Sequence, residues 1–392
     1  MKDNRNSLFM AIALCTAFFA YSCGTPTERS NALVQSATLE IVEAQNLTQQ
    51  AENADEGKAK TLLAQAEALK EKGLKHFDEA VVLDSTNINA YWNYGIVLQG
   101  FGYLEEALAN FEKGFGLVVS TNPPPYGVDK YPDTAVRDSL KNQYNGFVLQ
   151  LYTTYKNLKQ YEKALKYASD PFFRNFYPSK YPEAALAFGY NLIGQKKFAE
   201  AIDQFKIAQE AAKDARTNEG RQTVYSAAFY TEQAIRGMAG KDTPDYLAIV
   251  EAYEKAIQVD GENPESYSRL ATVCDEAGEK GVKGMDAKAI EVYKTAIEKN
   301  PKSEMLRSNF GMLLVNKGKV QDGIGQWKEI LTFNPNSADT YQNLAVVHDR
   351  MEKTGEANNY YKKFVETAKN DPSKAGDVKA AIERLQKAGI KI

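Results

Sequence analysis

The feature that most restricts this chain is a spacing between small residues. One set sits at Gly95, Gly189, Ala271, Gly311 and Ala345, and a second at Ala107, Ala164, Ala201, Ala289, Gly323 and Ala357. Gly311 to Ala345 and Gly323 to Ala357 both span 34 residues, so the last two units are in register. Large residues follow the second set, usually four positions on: Phe111, Phe205, Tyr253, Tyr293, Trp327 and Tyr361. Between Leu306 and Leu314 the apolar residues recur at helical spacing, and they do so again from Val320 to Leu331. Gly318 separates these runs and Asn334-Pro335 closes the second, because Pro cannot continue a helix. Two antiparallel helices can approach to about 8–10 Å only where a small residue meets its neighbour at the crossing. A helical hairpin of this kind leaves an apolar face that the next hairpin must cover, so such units come in stacks.

The segment AYWNYGIVLQGFGYLEEALANFEKG, residues 90–114, resembles a tetratricopeptide repeat, with Tyr91, Tyr94, Gly95, Leu98, Gly102, Leu104, Ala107 and Phe111 in that pattern's slots. Further units begin near Asn145, Pro182, Pro264, Glu304 and Ala338, and a degenerate one covers residues 222–261. The resemblance implies an all-α fold, an α-solenoid wound as a right-handed superhelix of about seven to eight helix-turn-helix repeats. On this reading residues 31–88 form an N-terminal helical pair, 89–372 the repeat array, and 373–392 a C-terminal capping helix. Three irregular stretches interrupt the array at 120–139, 170–182 and 278–286. Each reads either as a tolerated loop insertion or, for the aromatic-rich DPFFRNFYP, as a segment folded onto the array or a partner.

Charge argues against nucleic acid: 48 basic residues stand against 51 acidic ones, without a run of five like charges. Only two histidines occur, His76 and His348, which leaves little for imidazole or metal chemistry. At the N-terminus Lys2 and Arg5 precede an apolar stretch, LFMAIALCTAFFAY, which fits a secretory signal over residues 1–22 and is short for a membrane span. Its end, AYSCGT, resembles the lipobox of bacterial lipoproteins, in which the Cys becomes the acylated first residue. That role falls here to Cys23, with 23–30 as a tether. The large aliphatic residue favoured three positions before the Cys is replaced by Ala20, and Ala20-Tyr21-Ser22 also reads as an ordinary cleavage site for a secreted protein. Cys274 is then left without a partner, so an exported fold has to be held by its core.

No motif for catalysis emerges. His348 and Cys274 fall in a slot that Leu98 and Leu314 fill elsewhere, which makes them packing residues, and GEKGVKG lacks the Lys-Ser/Thr and preceding strand of a phosphate loop. No catalytic residue, metal site or cofactor is expected. What remains is a surface. In tetratricopeptide proteins the first helices line the concave face, and an Asn before the large apolar residue often holds a peptide backbone; Asn93, Asn309 and Asn343 match that position. An amide offers both a donor and an acceptor to an extended peptide, although it can equally bond within its own helix. With Trp92, Ile96, Tyr190, Met305 and Met312 these residues form the expected partner-binding face. The paired cations with which chaperone-binding relatives clamp an acidic C-terminus are absent, their positions holding Trp92, Leu149 and Glu183.

The sequence therefore points to a lipid-anchored protein of the bacterial envelope, expected at the outer membrane facing the periplasm. Its expected partner is an envelope protein or extended peptide rather than nucleic acid. The alternatives are a secreted or periplasmic soluble protein and, in function, a glycan- or small-ligand-binding lipoprotein using the Tyr-rich groove.

Overall fold

A computed structural model describes residues 24–121, 133–214 and 216–390. The signal segment, Cys23 and the proline-rich centre of the 120–139 stretch lie outside the described residues. Eighteen α-helices, one short 3-10 turn and no strand occur among the described residues. The chain divides between Phe188 and Gly189 into two compact units.

The first unit opens with two long antiparallel helices, α1 (Pro26–Glu52) and α2 (Glu56–Leu83). Ala37, Ala44 and Ala51 recur every seven residues on α1, as do Ala66, Gly73 and Ala80 on α2, and all six are buried. A Cβ added at Gly73 would lie 3.0 Å from Ile41 and 3.1 Å from the Ala37 carbonyl oxygen, so the close approach depends on that glycine. At the far end the Thr27 hydroxyl donates to Asp84 and the buried Ser30 hydroxyl to the Ala80 carbonyl at 2.8 Å, tying α1 to the chain as it leaves α2.

Next come the hairpin α3 (Ile88–Phe101) and α4 (Leu104–Thr121), then α5 (Thr134–Asn157) and α6 (Tyr161–Ala168). Asn87 caps α3 by accepting from the Asn89 and Ala90 amides. The last part of the 120–139 stretch is helical, since α5 begins at Thr134. The 170–182 stretch contains α7 (Pro171–Phe176), which folds onto its own unit: Phe173 is fully buried, Phe172 packs edge-on against Tyr144, and the Tyr144 hydroxyl donates to Asp170. α8 (Lys180–Gly194) carries the boundary between the units.

In the second unit the hairpins are α10 (Asn218–Ala239) with α11 (Tyr246–Val259), α12 (Pro264–Glu279) with α13 (Met285–Lys299), α14 (Glu304–Asn316) with α15 (Val320–Phe333), and α16 (Ala338–Arg350) with α17 (Thr354–Ala368). Ahead of them α9 (Phe198–Ala212) pairs with the end of α8, a Cβ at Gly189 being only 2.5 Å from the Phe205 ring. From α10 to α17 each helix packs on the helix before and after it, and α12 also touches α14, which is the stacking of an α-solenoid. The stretch at 278–286 extends the C-terminal end of α12 and then crosses to α13 through Gly281 and Gly284, both with left-handed backbones. The final helix, α18 (Ala375–Lys387), covers α17 by burying Val378, Ala381 and Leu385 against Phe364, Val365 and Ala368. Its other face is Lys379, Glu383, Gln386 and Lys387, and Arg384 pairs with Asp349, so the stack ends in a solvated surface.

The small-residue rule takes a definite physical form. Gly95 and Gly311 face the ring of the residue sixteen positions on, Phe111 and Trp327, as Gly189 faces Phe205. Small meets large across each of these hairpins. The left-handed residue that turns the chain falls seven positions after the small one: Gly102, Lys196, Gly318 and Glu352.

Candidate functional site

The residues expected to form one binding face fall into two groups. In the first unit Trp92 is half-buried, its indole edge-on to Phe147 with ring centroids 5.0 Å apart and near Phe111 at 6.2 Å. Ile96 is only 6% exposed and belongs to the same cluster. Asn93 is spent locally, its Nδ2 donating to the Asn89 carbonyl and side-chain oxygens at 2.8 Å each. These three side chains are therefore engaged in packing or bonding α3 itself.

In the second unit the corresponding residues are open. Met305, Asn309, Met312 and Asn316 lie one or two turns apart on a single exposed face of α14, with Met305 37% and Met312 43% exposed. Tyr190 is 57% exposed and rests against Tyr230, ring centroids 5.1 Å apart. Large apolar side chains in water on first helices are the kind of surface that marks an interaction site. The Asn309 Nδ2 donates to the Ser268 hydroxyl on α12 at 2.9 Å, and the Asn343 Nδ2 to the Ser308 hydroxyl on α14 at 3.3 Å. Each amide is thus oriented by the preceding repeat.

Between α12, α13 and α14 lies an open cavity of about 230 Å³. Its walls include Thr272 and Asp275 from α12, Tyr293 from α13, and Asn309, Met312 and Asn316 from α14. At its edge Lys317 bridges two carboxylates, Asp275 and Asp286, at 2.6 Å each. Those hydrogen bonds, Asp275 first, hold the Lys317 ammonium well above the ordinary lysine value. Sequence reasoning missed Thr272, Asp275, Asn316 and Lys317. Thr272 was within reach, because it follows Ala271 as Met312 follows Gly311 and Tyr190 follows Gly189. The Lys317 bridge was not, since Asp286 arrives there only through the irregular crossing from α12 to α13.

The thiol and the two imidazoles are held in packing or local contacts. Cys274 is fully buried, and burial pushes its thiol up to about 11. The His348 Nδ1 lies 2.8 Å from the Leu344 carbonyl oxygen and the ring packs on Tyr360, while His76 contacts Glu40 at 2.8 Å. No group of three or more His, Cys, Asp or Glu that could hold a metal ion exists among the described residues. No helix among them is long and apolar enough to cross a membrane.

The α16–α17 hairpin is where a family profile meets the chain: residues 338–371 match the tetratricopeptide repeat. Hsp70-Hsp90 organizing protein 2 of Arabidopsis thaliana is 22% identical over 213 residues, which cover 49% of this chain and 37% of that relative. The chain thus spans little more than a third of the curated relative it matches. Among solved structures, YrrB, described as a TPR protein with an unusual peptide-binding site, is 20% identical; the match covers 48% of this chain and 87% of that one at a TM-score of 0.33. TTC0263, a thermophilic TPR protein in Thermus thermophilus, is 17% identical over 51% of this chain and 98% of its own, with a TM-score of 0.35.

Proposed function

We propose that this chain is a non-catalytic interaction scaffold, or assembly factor, of a bacterial cell envelope, which binds an extended segment of a partner protein along the exposed first helices of its second unit. The observation that carries this reading is the α14 face, where two solvent-exposed thioethers alternate with two amides beside an open cavity. Thioethers adapt to varied side chains, and amides pair with a peptide backbone whatever its sequence. The tetratricopeptide match at 338–371 and the likeness to an organizing protein for Hsp70 and Hsp90 are in keeping with a protein-binding role. The engagement of Cys274, His348 and His76 in packing or local contacts is in keeping with a non-catalytic one.

The anchor rests on sequence alone. Acylation at Cys23 would supply the two or more chains that stable membrane attachment needs, and the apolar stretch before it and the small residues Ala20 and Ser22 suit that processing. An outer-membrane site facing the periplasm is the matching location.

The test uses the full chain in its native envelope. A photo-crosslinking amino acid at Met312 should give adducts that disappear when a bulky charge is placed on the same face by Met305→Arg, with the melting curve unchanged. Adducts that persist in Met305→Arg would remove the groove as the binding site. Labelling with an alkyne fatty acid should mark the wild type and spare Cys23→Ser; equal labelling of both would remove the lipid anchor.

A further inference from the structure

The partner-binding reading leaves open which side chain the cavity between α12, α13 and α14 selects, and its hydrogen-bond inventory bears on that. The Asn309 amide spends a donor on Ser268, as Asn343 does on Ser308. The Thr272 hydroxyl donates its proton to the Ser268 carbonyl at 2.9 Å, so what it still offers is an acceptor. Asp275 is acceptor-only when ionised. The cation at the cavity edge, Lys317, is held by two carboxylates, which leaves that corner with an excess of one negative charge. The nearby Arg269 is placed over the Phe229 ring at 5.2 Å and is not part of the cavity wall. The Asn309 and Asn316 amides offer both N–H donors and oxygen acceptors, and the Tyr293 phenol is paired with Thr272 and Ser268, so what sets the cavity apart is the negative charge at Asp275, with the Met312 thioether and Leu313 as its apolar side.

We infer that this cavity takes the side chain of a lysine or arginine from an extended partner peptide, its apolar stem against Met312 and its cationic head among Asp275, Thr272 and Asn309. Long cationic side chains bury their stems on apolar surface while the charged head keeps polar company, which is the division of labour the two sides of the cavity offer. A carboxylate in the same place would meet Asp275 and would have to take Lys317 from it. The inference rests on the proposed peptide-binding role and names the residue that role would favour.

The experiment measures retention of the full chain on an array of acetylated, amidated dodecapeptides with randomised flanks and a fixed central residue: lysine, arginine, norleucine, glutamine or glutamate. Lysine and arginine centres should be retained about five- to tenfold better than norleucine, the scale of a partly shielded ion pair. Asp275→Asn should remove the preference. Because that change also frees Lys317, two variants at the exposed Met312 serve as an independent measure: Met312→Glu should raise the preference for basic centres and Met312→Lys should reverse it, with melting curves like the wild type. Equal retention of all centres, or the same response to Met312→Glu and Met312→Lys, would overturn the selection of a basic side chain while leaving peptide binding itself in place. A wild-type chain that retains no peptide of any kind would overturn both readings.

Discussion

Replacing Gly95 by alanine gives the sharpest test of the packing rule, because two opposing effects of known size meet at one atom. Alanine in a helix interior is favoured over glycine by about 0.5–1 kcal/mol. Against this, the new Cβ would lie 2.5, 2.7 and 2.9 Å from three atoms of the Phe111 ring. Phe111 is fully buried and has Trp92 at its edge, so the ring cannot retreat without disturbing the α3–α4–α5 junction. Overpacking of this kind costs about 1–3 kcal/mol, so a net loss of up to about 2.5 kcal/mol is expected. For a unit of this size that corresponds to a melting point lower by up to about 10 °C. Gly116, in the middle of α4, is the internal control: it is exposed and an added Cβ would have nothing within 4 Å, so Gly116→Ala should gain stability by the same helix preference. Calorimetry on both variants separates the effects by sign. A rise in melting temperature for Gly95→Ala equal to that of Gly116→Ala would refute the claim that this glycine is present for the ring.

Other consequences can be checked as directly. Asp84 accepts from Thr27 and Thr86, which holds its carboxyl below the usual aspartate value; its contribution is complete above about pH 4 and is lost as pH falls through the folded value, so melts of Asp84→Asn should show less acid sensitivity than the wild type. The Cys274 thiol, buried and pushed up to about 11, should react with a disulfide reagent at pH 8 only as fast as the chain opens, and native-state labelling at the rate of a free thiol would contradict its position. Lys196 holds a left-handed backbone with φ 60°, so Lys196→Gly should stabilise the second unit by up to about 1 kcal/mol, where a loss would mean that its side chain does more than turn the chain. Combining Tyr152→Gly with Ala168→Phe should restore part of the stability that each change alone removes, as read from a double-mutant cycle.

That last pair shows where the repeat was legible and where it was hidden. In most hairpins the first helix carries the small residue and the second the large ring, a pattern that periodicity alone reveals. Between α5 and α6 no small residue stands at the expected place, and periodicity assigns only Ala164 there. The left-handed Lys159 fixes the register, since the turn falls seven positions after the small slot elsewhere, and this puts Tyr152 in that slot. Ala168 then occupies the place of the ring, and both are buried in one cluster. The large and small slots are thus filled in exchange, which would keep the volume at the crossing while the residue pattern is inverted. A search for glycine or alanine passes over such a repeat because it tests one residue, whereas packing constrains the sum of two.

The proposed binding face was harder to read for a related reason. A first-helix position following the small residue occupies the same register in every hairpin, yet Ile96 is buried whereas Tyr190 and Met312 are open, because what covers a side chain depends on the neighbouring helix and not on its own register. In the first unit the long α5, with Phe147 and Gly146, brings Trp92 and Ile96 into a core. In the second, Asn309 and Asn343 reach back to serines on the preceding first helices, and this small hydrogen-bonded row orients both amides. A repeat pattern thus specifies the framework locally, one hairpin at a time. The chemistry of the face is set between hairpins, by pairs such as Asn309 with Ser268 and bridges such as Lys317 with Asp275 and Asp286, whose members are separated by residues the pattern does not constrain.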